Sequence, residues 1–289
     1  MHRYLVVLEY IGTNYSGSQI QTAGKDSRRI CGFSLNGASE KLCGHNSCKD
    51  KFQTVPTIQG ELEKAVSTLT KTETRTIFSG RTDAGVHAKG QTAHFDAECE
   101  LDASKFINSL NAILPNDISV KKLIKVPETF HAQKSAKARH YRYTIANRMQ
   151  RSAWDRNCLL IKYPLNIERM NKALEYLKGV HDFTAFKKAK TNNPAKICNM
   201  YEAKAERRGD YIYLDFKADR FLYNMIRSIT GTLLMMERRD MPAETIKEVL
   251  DSKDRARAGA SASPDGLTLL EITYNNNDIM EKDNENLFS

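Results

Sequence analysis

An arginine, an aspartate and a histidine are compressed with two glycines between Gly80 and His87, inside the stretch Ser79 to Asp96, SGRTDAGVHAKGQTAHFD. Asp83 follows Arg81 by two positions. A guanidinium that close keeps a carboxylate ionised and therefore basic or nucleophilic. Gly80 and Gly85 bracket the acid, and glycine lets a backbone take positive φ or approach a ligand closely. The spacing removes other chemistries. Val86 and His87 stand where a phosphate-cradling loop needs Lys and Ser or Thr. His87 and His94 are seven apart with no cysteine near them, which matches no zinc spacing. What remains is a lone carboxylate with a nearby cation, whose plainest form is an Asx-turn closed by a surface ion pair.

Such a loop needs walls. Thr74 to Ser79 reads as a short strand and Gln91 to Asp96 as a second, from their β-branched and aromatic content. Upstream, Tyr4 to Tyr10 predicts a strand, and Thr57 caps a helix with Ile58, Leu62, Ala65, Val66 and Leu69 on its core face. Asp102 caps another, with Phe106, Ile107, Leu110 and Leu114 before Pro115 stops it. A strand over Ile118 to Val126 completes strand, helix, strand, strand, helix, strand, the split βαβ order of a ferredoxin-like unit.

The second half repeats the scheme. Arg139 to Asn147 predicts a strand of alternating aromatic and basic residues, and Lys134 to Trp154 holds six Lys or Arg with no Asp or Glu, an excess that attracts phosphates. Arg139 and Arg142 are candidate phosphate contacts on that ground. Asn166 caps a helix ended by Gly179, two strands follow near Ile197 to Glu206 and Tyr211 to Ala218, and Leu267 to Tyr274 is a final strand. Between them, Asp219 to Arg239 reads as one helix with Phe221, Leu222, Met225, Ile226, Ile229, Leu233 and Met236 along one side. Arg227 falls opposite that stripe, free to face a cleft or solvent.

The chain has 289 residues, 44 Lys or Arg against 35 Asp or Glu, and a net charge of +9, which suits a polyanionic partner. No run of about eighteen apolar residues suggests a membrane span, and the opening MHRYLVVLEY is too short in its apolar part for a secretory signal. A cytoplasmic protein with reduced thiols is expected. Thr22 to Val55 is polar and lysine-rich, a surface excursion. It holds Cys31, Cys43, His45 and Cys48, four zinc-capable residues whose spacing fits no common finger; no metal and no cofactor are assigned.

Gly80 to Ala88, G-R-T-D-A-G-V-H-A, resembles the signature of the tRNA pseudouridine synthase A family. Tyr15 to Gln21, Gly179 to Phe186, Phe221 to Arg227 and Ser263 to Leu267 resemble further blocks of that family in the same order. Two positions depart from its pattern: Ile11 stands where the family usually has Asp, and Ser18 where it usually has Trp. The resemblance implies an α+β fold of two ferredoxin-like halves, 1–133 and 134–274, whose antiparallel sheets join across a central basic cleft; the Asn-rich, acidic composition of 275–289 predicts a disordered tail. It implies a homodimer that isomerises uridine to pseudouridine in tRNA, at positions 38 to 40 of the anticodon arm, without a cofactor. It places the catalytic aspartate at Asp83, its partner at Arg227, a base-stacking tyrosine at Tyr141 and a nucleotide contact at Arg81. His181, within the Gly179 to Phe186 block, is a candidate substrate contact whose residue type alone favours a packing role. Tyr143 is expected to turn away from Tyr141 into the core. The competing expectation is a tRNA-binding protein or RNA chaperone that keeps the fold without the chemistry.

Overall fold

The computed structural model describes residues 1–20, 56–188, 196–275 and 279. The excursion at 22–55, with Cys31, Cys43, His45 and Cys48, lies outside the described residues, as do most of the basic loop after Lys188 and nearly all of the tail.

The first half is built as its periodicity requires. Strand β1 (His2–Tyr10) leads through a 3-10 turn at Gly12–Asn14 to helix α1 (Ile58–Thr70), β2 (Ile77–Phe78), β3 (His87–Ala97), α2 (Ala103–Ile113) and β4 (Ile118–Val126). The Thr57 side chain accepts from Gly60 N and the Asp102 side chain from Lys105 N, so both predicted caps satisfy helix-end donors. β1 lies between β4 and β3, and β2 pairs with β3, all antiparallel. The second half follows with β5 (Ala138–Asn147), β6 (Leu159–Ile161), α3 (Ile167–Glu175), β7 (Gly179–Asp182), β8 (Ile197–Arg208), β9 (Tyr211–Ala218), α4 (Met225–Arg238), α5 (Thr245–Ser252) and β10 (Leu267–Thr273).

All ten strands form one sheet, whose main path runs β4-β1-β3-β10-β5-β9-β8-β7. Setting aside β6 and the added edge strand β7, the order β10-β5-β9-β8 repeats β4-β1-β3-β2 with the two α–β connections in equivalent places. The halves meet where β3 offers one edge to two partners. His94 and Ala93 pair with β2, while His87 and Ala88 pair in parallel with Thr268 and Leu269 of β10. Farther along, the Tyr274 hydroxyl lies 2.6 Å from Thr92 Oγ1 and donates to Ala132 O at 2.9 Å.

One expected element is shorter than its periodicity suggests. Asp219 to Asn224 is not helical, and α4 begins only at Met225, after Asn224 in the left-handed conformation (φ 65°). The side of α4 opposite its apolar stripe is not open either. Residues 258–263 run against it: Ala262 N donates to Arg227 O, Gly259 N donates to Thr232 Oγ1, and a Cβ on Gly231 would sit 1.7 Å from Ala260 O. Glycine is required there by that close approach.

Candidate active site

The 79–86 loop leaves β2, turns, and enters β3. Its conformation is set from beneath by a buried polar chain. Ser79 Oγ donates to Gln91 Oε1 (2.8 Å), and Gln91 Nε2 donates to Gly80 O (3.2 Å) and to the Tyr10 hydroxyl (3.3 Å). That hydroxyl lies 2.8 Å from Thr82 Oγ1. Burial pushes the Tyr10 phenol up to about 12, so it stays protonated at neutral pH. Ser18, fully buried, holds the next link: its Oγ accepts from Thr82 N at 2.8 Å and its own N–H donates to Thr82 O. The departure from the family pattern at Ser18 therefore leaves the loop directly bonded to the turn after β1.

Of the two bracketing glycines, Gly85 needs its residue type, with φ 80° and a Cβ that would meet the Pro264 side chain. Gly80 has a negative φ and open space around it, so only half of that expectation holds. His87 joins three segments. Its Nδ1 accepts from Gly12 N (3.0 Å), which leaves Nε2–H to donate to Asp265 O (3.1 Å). Burial holds the ring's pKa below the ordinary imidazole value, consistent with this neutral tautomer.

Asp83 lies at the loop's crest, its side chain 14% exposed, and Arg227 Nη1 donates to its Oδ2 at 3.1 Å. The two residues are 144 positions apart in the chain. The register of β3 against β10 and the packing of residues 258–263 on α4 bring them together. Arg227 is aimed by a second bond, Nε to Ala262 O at 2.8 Å. Burial raises the Asp83 pKa; Arg227, then Lys188 and Arg81, pull it down, and the balance stays above the ordinary carboxylate value. An acid that is partly exposed and takes one hydrogen bond from its cationic neighbour retains lone pairs for a reacting atom.

Tyr141, buried on β5, stacks edge-on against Phe221 with ring centroids 5.3 Å apart, and burial pushes its phenol far up. Its hydroxyl bonds no other described residue. The turn that replaces the expected start of the helix therefore supplies Phe221 as a wall beside Tyr141. Tyr143 shares the face of Tyr141, as positions two apart on a strand must. Expecting it to turn the other way was an error of parity, although it is fully buried, with its hydroxyl donating to Ser263 O.

The remaining candidates are placed differently. Arg81 is exposed and makes no hydrogen bond to a described residue, while its charge acts on Asp83. Arg139 spends its guanidinium on backbone carbonyls: Ala136 (3.0 Å), Asp219 (2.6 Å), Gln133 (3.1 Å) and Ser79 (3.3 Å). It ties β5 to the loop that carries Asp83. Arg142, on the opposite face of β5 from Tyr141, grips Asp215 through Nε (2.9 Å) and Nη2 (3.1 Å). His181 is not brought to Asp83. It sits on edge strand β7, separated from β5 by β8 and β9, with Nε2 2.7 Å from Lys178 O and its ring against Phe183. Ser18, Tyr10, Gln91 and Ala262 were not expected from the sequence. Ser18 carried a signal as a departure from the family pattern; Gln91, one of several polar residues of β3, did not stand out.

Known proteins match this chain over most of its length. A family model described as tRNA pseudouridine synthase matches residues 38–133 and 173–275. The tRNA pseudouridine synthase A of Thermoanaerobacter sp. (strain X514) is 37% identical over 275 residues, covering 95% of this chain and all of that protein. The protein of the same name from Anoxybacillus flavithermus is 36% identical over 285 residues (96% and 100% covered), and that from Ehrlichia canis 35% over 274 (94% and 100%). With the site geometry, these matches place the chain in the tRNA pseudouridine synthase family.

Proposed function

We propose that this enzyme converts uridine to pseudouridine in tRNA, at positions 38 to 40 of the anticodon arm, with Asp83 as the catalytic carboxylate. The reaction breaks the bond from ribose C1′ to N1, turns the base, and forms a bond from C1′ to C5; the hydrogen on C5 leaves and N1 gains one. Breaking the glycosidic bond develops positive charge at C1′, which an ionised carboxylate stabilises or captures, as in glycosidases. Asp83 serves as nucleophile at the sugar or base, or assists proton removal from the sugar. No water is activated, so one carboxylate suffices.

The observation that carries this reading is the Asp83–Arg227 pair, partly exposed and close enough to Tyr141 for their charges to act on one another. The uridine leaves its stack at a cost of a few kcal/mol. Stacking on Tyr141 returns about 1–3 kcal/mol per base, and Arg81, exposed and with no hydrogen bond to a described residue, holds the extruded nucleotide's phosphate. Arg139 acts as a positioning residue through Ser79. Arg142 and His181 contribute to the sheet and its edge. One half, 1–133, supplies the acid, and the other, 134–274, supplies Arg227 and Tyr141. A homodimer in the cytoplasm, with one tRNA touching both subunits, completes the proposal.

The experiment is tritium release from tRNA labelled at uridine C5. Wild type should release label and Asp83→Asn should not, while both retain tRNA on a filter. Release by Asp83→Asn removes the acid from the mechanism. Carbodiimide mapping of the product tRNA tests positions 38 to 40, and sedimentation of the free protein tests the dimer.

A further inference from the structure

Trp154 is the only tryptophan of the chain and is 95% exposed. The loop that carries it is tied down from within. Asp155 is bound by the Arg148 guanidinium and accepts from the Tyr211 hydroxyl at 2.7 Å, while Arg148 lies over the Tyr211 ring. Trp154 N donates to Ser152 Oγ and Arg156 N to Trp154 O. The acid faces inward and the indole faces out. An anchored loop that presents a whole indole to water leaves a large, rigid aromatic face open for a partner, and Trp is enriched at such contacts.

Across from it stands the turn after β1. Ile11, 41% exposed, with Thr13 and Asn14, shares with Ala153, Trp154, Arg156 and Asn157 one concavity of about 740 Å³. That wall is continuous with the reacting loop, because Gly12 N bonds His87 Nδ1 at the start of β3. The concavity therefore lies beside the Asp83 loop without being the pocket of Asp83. Its chemistry suits a nucleotide. The indole offers a stacking face, Asn14 and Asn157 offer hydrogen bonds to a base edge or sugar, and Arg156 offers a phosphate contact. Two carboxylates tied to its lining segments are occupied: Asp155 as above, and Asp117 by Tyr15 and Asn14. Position 11, where the family pattern has an acid, is an isoleucine.

We infer that this concavity is a second nucleotide subsite, holding an unpaired base of the tRNA, other than the reacting uridine, stacked on Trp154. The inference rests on the tRNA reading above, and its failure is separable from the failure of that reading. Trp154 emission reports the site directly because the chain has no other indole. In an Asp83→Asn background, saturating unmodified tRNA should quench that emission, and Trp154→Ala should weaken tRNA retention on a filter roughly tenfold, with Trp154→Phe recovering most of it. Retained tRNA with unchanged emission overturns the subsite while leaving the synthase reading intact. So does Trp154→Ala with wild-type affinity, or a Trp154→Ala protein that sediments as a smaller species, which would assign the surface to a second copy of the chain. A wild-type protein that neither retains tRNA nor releases label overturns the synthase reading itself.

Discussion

Two carboxylates, one buried and one partly exposed, each facing an arginine, are tuned in opposite directions. Asp215 is 1% exposed and lies directly opposite Arg142 across β5 and β9, receiving both Nε and Nη2, with His140 Nε2 3.0 Å from the same carboxylate. Burial raises its pKa, but the bonds and charges of His140 and Arg142 outweigh burial and hold it below the usual carboxylate value. Asp83 receives one bond from an arginine whose Nε is committed to Ala262 O, and its pKa stays raised. Under the proposed function, the difference separates a structural acid from a reactive one. A carboxylate whose lone pairs are saturated stabilises the fold and has nothing left to offer, whereas one that is desolvated and half-paired keeps its reactivity at some cost to stability.

Breaking the comparison at its reactive end has the largest effect. Asp83→Asn should reduce tritium release by about 10³-fold without weakening tRNA retention. Its stability change has a definite sign. A folded-state pKa raised above the unfolded value means that protonation favours the fold, so wild type loses this stability as pH rises through the folded pKa. Asp83→Asn should therefore gain stability relative to wild type at neutral pH, with the gain vanishing below the unfolded carboxylate pKa, as measured by urea denaturation at a series of pH values.

The structural end comes next. Asp215→Ala leaves Arg142 and His140 without their shared partner and should cost about 2–3 kcal/mol of stability while changing tritium release little. Because the Asp215 pKa is depressed, this contribution is present above the unfolded carboxylate pKa and disappears as pH falls through the folded one. Acid unfolding of wild type and mutant should thus converge. Equal losses of stability and of activity would mean that the two acids are not separate in role.

Arg227→Lys sharpens the comparison. The bond to Ala262 O that aims the guanidinium is lost, the lowering influence on Asp83 weakens, and the acid limb of kcat/KM should move to higher pH with roughly a tenfold loss at neutrality. The smallest effect is expected from Ser18→Ala, which removes one bond to Thr82 N, worth about 1 kcal/mol. It should lower kcat/KM several-fold with no movement of the acid limb.

Local signals in this sequence were strong. Thr57, Asp102 and Asn166 each cap the helix that follows them, β4 occupies Ile118–Val126 as its alternation demands, and Asp83 lies on a loop between strands as the flanking residues imply. Where two structures satisfy one local pattern, the reading failed. Phe221 and Leu222 continue the apolar period of α4 but precede it in a turn, since Asn224 adopts left-handed geometry and burial of Phe221 against Tyr141 serves as well as burial within a helix. A count of basic residues could not distinguish Arg139, consumed by four carbonyl bonds, or Arg142, consumed by Asp215, from Arg81, which stays exposed.

The sequence by itself determined most of the elements, their order and the candidate acid Asp83, because caps, periodicity and a nine-residue block act over distances of a few residues. Only the tertiary structure decided what each charge faces. β10 closes the repeat by pairing with β3 through two residues and with β5 through six, and that closure carries residues 258–263 onto α4 and Arg227 onto Asp83. Pairing between strands far apart in the chain is settled by the burial of whole faces at once, so no short stretch of residues encodes it.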